Sequence, residues 1–348
     1  MDNKRFVNQS FELDKSSIAV LVAFGLQVIF QVVLYLFKLP SATYTWAVIV
    51  ANQLILFGVF VFFCFREKVD PIAVTGAKNP PKWYFFPLFA LIAIACIMCF
   101  APLSGLFSKL LAQFGYEHEP NYYIPLKNSG LFTLAFLALT ILPAFGEESM
   151  MRGVLLSGAK KKSPLFAIFY TALVFALFHG NLTQLIHQFL LGAVMGYLVY
   201  ITGSIYASMT VHIVNNAVAM LLDYGRANGW INKTLYWYVG GKLGAEPTII
   251  GMSVSLFALM MFLVLVTCLL HKDRLEEKEY DPEEKGFFNR INAYLIYLST
   301  PDKESEKAES TAVKSNSRVT THAFVLAWIV AAVFAAVVLL TLLPGGNS

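Results

Sequence analysis

Runs of about twenty apolar residues recur along the whole chain, and they constrain its fold more than any motif does. In a bilayer every backbone N–H and C=O must be satisfied within its own segment, so runs of this length cross as helices. Nine are read, near residues 17–37, 44–65, 84–104, 131–158, 164–180, 183–201, 204–222, 249–270 and 323–343. The composition agrees, with 57% hydrophobic and only 14% charged residues and a mean hydropathy of +0.62. A soluble domain carries roughly a quarter charged residues. Soluble enzymes and nucleic-acid binders are therefore excluded, and the net charge of +4 does not point to a nucleic-acid partner. The expected fold class is an all-α polytopic membrane protein with eight or nine transmembrane helices.

Segment lengths and flanks refine this reading. The fourth run is longer than a span needs and the fifth is shorter, so one tilted helix and one ending inside the membrane or in a buried turn are expected. The first run stays as a helix instead of being removed as a signal peptide, because Gln27 and Gln31 interrupt it and no small-residue cleavage site follows. With the N-terminus cytoplasmic, only Lys38, Lys109, Lys127, Arg226, Lys233 and Lys242 of the 26 Lys and Arg residues fall outside. That asymmetry sets the expected orientation. Cys64, Cys96, Cys99 and Cys268 all lie in apolar runs, where no disulfide between loops forms. The Cys96 and Cys99 pair has no second pair or flanking His to make a metal site.

The expected organisation is an N-terminal set of transmembrane helices (1–124), a central helical core (125–222), an extracytoplasmic loop and helix (223–270), a cytoplasmic insert (271–322) and a last helix (323–348). Within the insert, 283–300 mixes aromatic and aliphatic residues with charges and is expected to form an amphipathic helix on the inner surface. Residues 301–320 are polar and read as a disordered linker. No internal repeat is evident, which weighs against inverted-repeat transporters.

Ionisable side chains inside apolar helices cost several kcal/mol and mark functional sites by default. They fall in three clusters: Glu147, Glu148 and Arg152; Phe175 and His179; His212 and Asn216. Glu148 and Arg152 are four apart and share a helix face, so they are expected to form a structural ion pair, whereas Glu147 is rotated about 100° away and faces something else. Phe175 shares a face with His179, and His212 with Asn216. At about 1.5 Å per residue, Glu147, His179 and His212 reach similar depths, in the cytoplasmic half to the middle of the membrane, and are expected to line one cavity. Gly192 and Gly196 form a small-xxx-small pair that lets a neighbouring helix approach closely. His187 and His118, without partner motifs, read as structural, and Asn52, Gln53, Gln184 and Gln188 as hydrogen-bonding glue between helices.

With these residues in place, the order E-E-x-x-x-R, F-x-x-x-H, H-x-x-x-N across consecutive helices resembles the CAAX protease and bacteriocin-processing family, also called Abi proteins or type II CAAX prenyl endopeptidases. The resemblance covers roughly residues 125–222. It implies an intramembrane endopeptidase in which Glu147 is the general base, His179 positions the water, His212 and Asn216 donate to the oxyanion, and Glu148, Arg152 and Phe175 support them. No cofactor is expected on this reading; the alternative is Zn²⁺ held by Glu147, His179 and His212. The implied substrate is a peptide or membrane protein, cut in the cell membrane, and residues 271–322 are a candidate surface for a membrane-protein partner. A rival reading is a non-catalytic immunity or scaffold protein that keeps the motif for folding.

Overall fold

The computed structural model describes residues 10–116, 128–230, 249–270 and 287–299. The expected span at 323–343, the linker at 301–320 and His118 lie outside these residues. The chain divides into two units, Met1–Ala245 and Glu246–Ser348.

In the first unit the helices are α1 (Leu13–Leu36), α2 (Ser41–Arg66), α3 (Pro71–Thr75), α4 (Phe85–Gln113), α5 (Ser129–Glu148), α6 (Leu156–Ala159), α7 (Pro164–Phe178), α8 (Leu185–Thr202) and α9 (Ile205–Ala227). In the second they are α10 (Ile249–Leu270) and α11 (Phe287–Ser299). Seven helices among the described residues are long and apolar enough to cross a membrane. An eighth, α7, is apolar but only 15 residues long, about 22 Å against a hydrocarbon core of roughly 30 Å. The protein is thus an all-α, multi-pass membrane protein. The fifth run is a short helix, as expected, and a helix forms over Phe287–Ser299 within the segment 283–300.

The fourth run departs from expectation. Instead of one continuous α-helix it changes to a π-helix over Ser149–Leu155, all seven residues of which are buried, before returning to α at α6. Such wide turns cluster at functional sites, and this one begins directly after Glu148. A second unexpected element is α3, where Asp70 Oδ1 accepts from the Ile72 N–H at 2.9 Å, Pro71 opens the helix and Gly76 ends it at φ +66.

Helix ends follow local chemistry elsewhere. Asn128 caps α5 through the Leu131 N–H at 3.0 Å, and Ser163, followed by Pro164, caps α7 through the Phe166 N–H at 3.2 Å. Close approach comes from small residues, since lipid tails give apolar helices no hydrophobic reason to associate. A Cβ on Gly192 of α8 would lie 3.1 Å from Ala172 Cα of α7, so the pair expected at Gly192 and Gly196 does seat a neighbour, most tightly at Gly192. Helices divide by depth in the bundle: half of the most apolar window of α4 is buried but only 22% of that of α1, whose Leu21, Ile29 and Leu36 face outward. The polar residues of α5, α7, α8 and α9 sit behind that lipid-facing layer.

Candidate active site

Pro143 sets up the site from inside α5. It has no N–H, so the carbonyl of Leu139, four residues earlier, loses its helical donor. Asn216 Nδ2 of α9 donates to that carbonyl at 3.0 Å. A proline that would otherwise leave a bare carbonyl in the membrane thereby pins α9 to α5 close to the two glutamates. One turn further on, Gly146 lets α2 approach: a Cβ there would lie 2.6 Å from Gln53 Oε1 and 3.0 Å from the Gln53 carbonyl. That approach brings Gln53 Nε2 to within 2.9 Å of Glu147 Oε1, to which it donates.

The two glutamates then meet different surroundings. Glu148, with a side-chain exposure of 0%, accepts at Oε1 from Arg152 Nη1 at 3.0 Å and from His212 Nδ1 at 2.8 Å. The guanidinium is held on two further sides. Arg152 Nη2 donates to the Gly192 carbonyl at 3.1 Å, and its carbon lies 4.8 Å from the centre of the Phe175 ring. The expected ion pair is present, and it extends into a network joining the fourth span, α7, α8 and α9. Such a pair gains most in a low-dielectric interior when its remaining donors and acceptors are met; here Glu148 Oε2 and Arg152 Nε are left without a partner among the described residues.

Glu147 is the open member. Its side chain is 15% exposed, and with Oε1 engaged by Gln53, Oε2 is buried without a hydrogen-bond partner among the described residues. Oε2 lies 3.9 Å from His212 Nε2. That is too long for a hydrogen bond but short enough for one water molecule to touch both. Because His212 Nδ1 donates to Glu148, the tautomer is set by that bond and Nε2 is the ring nitrogen turned to Glu147.

His179 ends α7. Its Nδ1 donates to the Phe175 carbonyl at 2.8 Å, which leaves Nε2 as the accepting nitrogen. The Phe175 ring stands edge-on to both imidazoles, with centroids 4.8 Å from His179 and 5.9 Å from His212. Glu147, Glu148, Arg152, Phe175 and His212 therefore form one contact set, with His179 joined to it through Phe175. Asn216 turns toward α5 instead; it accepts from Asn215 Nδ2 at 3.1 Å, and its own amide keeps a second N–H beyond the one given to Leu139.

Two polar partners have no counterpart in the motif reading. His187 Nε2 and Asn215 Oδ1 are 3.3 Å apart, which gives the structural role expected for His187 a partner. Asn215 follows no motif letter, and only its adjacency to Asn216 hinted at it. Gln53 is interhelical glue as expected, but the group it binds is Glu147. Among the described residues no three His, Cys, Asp or Glu side chains group closely enough to hold a metal ion.

No curated protein and no solved structure matches the chain. A family model does, and it falls within the residues 125–222 where the resemblance was read. Residues 129–218, the segment that holds every group of this site except Gln53, match the family described as type II CAAX prenyl endopeptidase Rce1-like.

Proposed function

We propose that the protein is an intramembrane endopeptidase in which Glu147 activates a water molecule for attack on a peptide bond. The observation that carries this reading is the buried, unpartnered Glu147 Oε2 facing His212 Nε2 at 3.9 Å. The match to an endopeptidase family supports the reaction class. A water between these atoms gives a proton to Glu147 as its oxygen bonds to the carbonyl carbon. The tetrahedral oxyanion then accepts from nearby donors, the candidates being the remaining N–H of Asn216 and, in the doubly protonated imidazolium form only, His212 Nε2–H. Glu147 returns the proton to the leaving nitrogen as the C–N bond breaks, which yields a carboxylic acid and an amine; the acid then gives its proton to the amine, leaving a carboxylate and an ammonium. His179, whose Nε2 is free to accept, orients the water or the substrate. Glu148, paired with Arg152, accepts from His212 Nδ1 and so fixes the imidazole with Nε2 toward Glu147.

The substrate class is a peptide or membrane-associated protein segment that reaches the cavity from the bilayer. The Lys and Arg distribution supports a cytoplasmic N-terminus. In a Cys-free background, a cysteine at Asn79 is expected to label only from the cytoplasmic side and one at Asn128 only from outside. Both positions are exposed.

The test of function is peptide cleavage by the full-length protein in detergent and in liposomes, comparing wild type with Glu147→Gln. A loss of at least about a hundredfold with the fold intact is expected on removing a general base. Near-normal cleavage by the variant defeats the reading. The metal-free form has a separate check: activity is expected to persist in phenanthroline, with well under one zinc per chain by elemental analysis. A cellular phenotype that survives Glu147→Gln unchanged favours the scaffold reading.

A further inference from the structure

Away from the glutamates, a cavity of about 320 Å³ opens where the fourth span ends, between the α3 turn and the link from α8 to α9. Its size is at the lower end for small-molecule sites. Its polar lining is Ser10, Thr75, Arg152, Ser157, Lys160 and Lys161, with no acidic side chain among its walls. The three cations are not equally available. Lys161 pairs with Glu12, and Arg152 gives its two terminal nitrogens to Glu148 and Gly192.

Two donors are left over. Arg152 is 2% exposed, yet its Nε has no hydrogen-bond partner among the described residues. A buried guanidinium N–H in that condition costs free energy unless something accepts from it. Lys160 is half-buried, has its ammonium 5.1 Å from the centre of the Tyr200 ring, and makes no ion pair among the described residues. Burial lowers that ammonium to about 8, so it remains mostly charged at neutral pH.

Lys160 lies eight residues beyond Arg152, about 12 Å along the helix, so the cavity runs inward from the end of the span toward the guanidinium. This is the depth of lipid headgroups, and basic pockets between helix ends suit phosphate, whose several oxygens accept from spread donors.

We propose that this cavity binds a phosphate group, held by Lys160 and the free Nε–H of Arg152 with Lys161 at its mouth. The phosphate belongs either to an anionic lipid headgroup or to a soluble ligand. The proposal shares Arg152 with the Glu148 network but does not depend on the peptide-cleaving reading, because binding is measured without turnover.

The test uses the full-length protein. Thermal unfolding in detergent is followed with inorganic phosphate against sodium chloride at equal ionic strength. A second arm compares nanodiscs of phosphatidylcholine alone with nanodiscs that also contain phosphatidic acid. Stabilisation in at least one arm is expected. A response to inorganic phosphate identifies a soluble source, and a response only to phosphatidic acid a lipid one. Lys160→Gln should weaken binding by about tenfold or more, as for loss of a charge-assisted hydrogen bond, and Lys160→Arg should retain it. On the wild-type protein, chemical acetylation of Lys160, mapped by mass spectrometry, should slow in the presence of whichever probe binds. Absence of stabilisation and protection in both arms overturns the proposal, as does equal binding by Lys160→Gln.

Discussion

Glu147 and Glu148 are neighbours in sequence, but they border two different regions of the molecule. On the Glu148 side the carboxylate, guanidinium, imidazole and Gly192 carbonyl close on one another with no exposure of Glu148, although Glu148 Oε2 and Arg152 Nε have no hydrogen-bond partner among the described residues. On the Glu147 side one oxygen is held by Gln53 and the other is left facing His212. One carboxylate, enclosed and ion-paired, thus fixes the geometry around a second that keeps a partly exposed side. Rotation of about 100° between adjacent helical residues is enough to separate the two tasks.

The largest effect is expected from opening the closed side. Arg152→Ala or Glu148→Ala strands a charge within the bundle and should cost about 3–5 kcal/mol, with part of the loss recovered in the double variant. Unfolding measured by denaturant or heat on the three variants checks this, and unchanged single variants would remove the closed network from the account. Next comes Gly146→Ala. Its Cβ would meet Gln53 at 2.6 Å, so strain of about 1–3 kcal/mol should appear together with loss of the Gln53 to Glu147 bond.

A similar size is expected for Asn216→Ala, which leaves the Leu139 carbonyl without a donor at about 1–3 kcal/mol. Here the cause can be isolated. Pro143→Ala returns the missing N–H, so Asn216→Ala should cost measurably less in that background; an identical cost in both would mean that the Leu139 bond is not what Asn216 contributes. The smallest effect belongs to Gln53→Ala, for which stability should hardly change and peptide cleavage should fall about tenfold, as for a loosened reacting group. No change in cleavage would leave Gln53 as packing alone.

Much of this was legible in the sequence, for identifiable reasons. Spans show because lipid forbids unsatisfied backbone over some twenty residues, and the Glu148 to Arg152 pair shows because four residues make a helical turn. The π-helix over Ser149–Leu155 was not legible, since its residues are as apolar and small as those of an α-helix and period alone cannot mark a widened turn. Nor was the direction of Asn216. Helical spacing placed it on the face of His212, but the group it donates to is the Leu139 carbonyl, which Pro143 on another helix leaves without a helical donor. The sequence shows Gln53 as a polar residue in an apolar helix but not its target, because which group an amide binds across a bundle depends on the close approach that Gly146 allows. Sequence spacing finds partners within a helix, whereas partners between helices depend on packing.

The central claim is that the open glutamate reacts and the closed one holds. It is tested most directly by measuring thermal stability and peptide cleavage together on Glu147→Gln and Glu148→Gln. Glu147→Gln should melt like wild type and cleave at least about a hundredfold more slowly, while Glu148→Gln should melt lower and keep residual cleavage. Glu147→Gln that cleaves normally, with Glu148→Gln fully stable and inactive, would contradict the account and exchange the roles of the two residues.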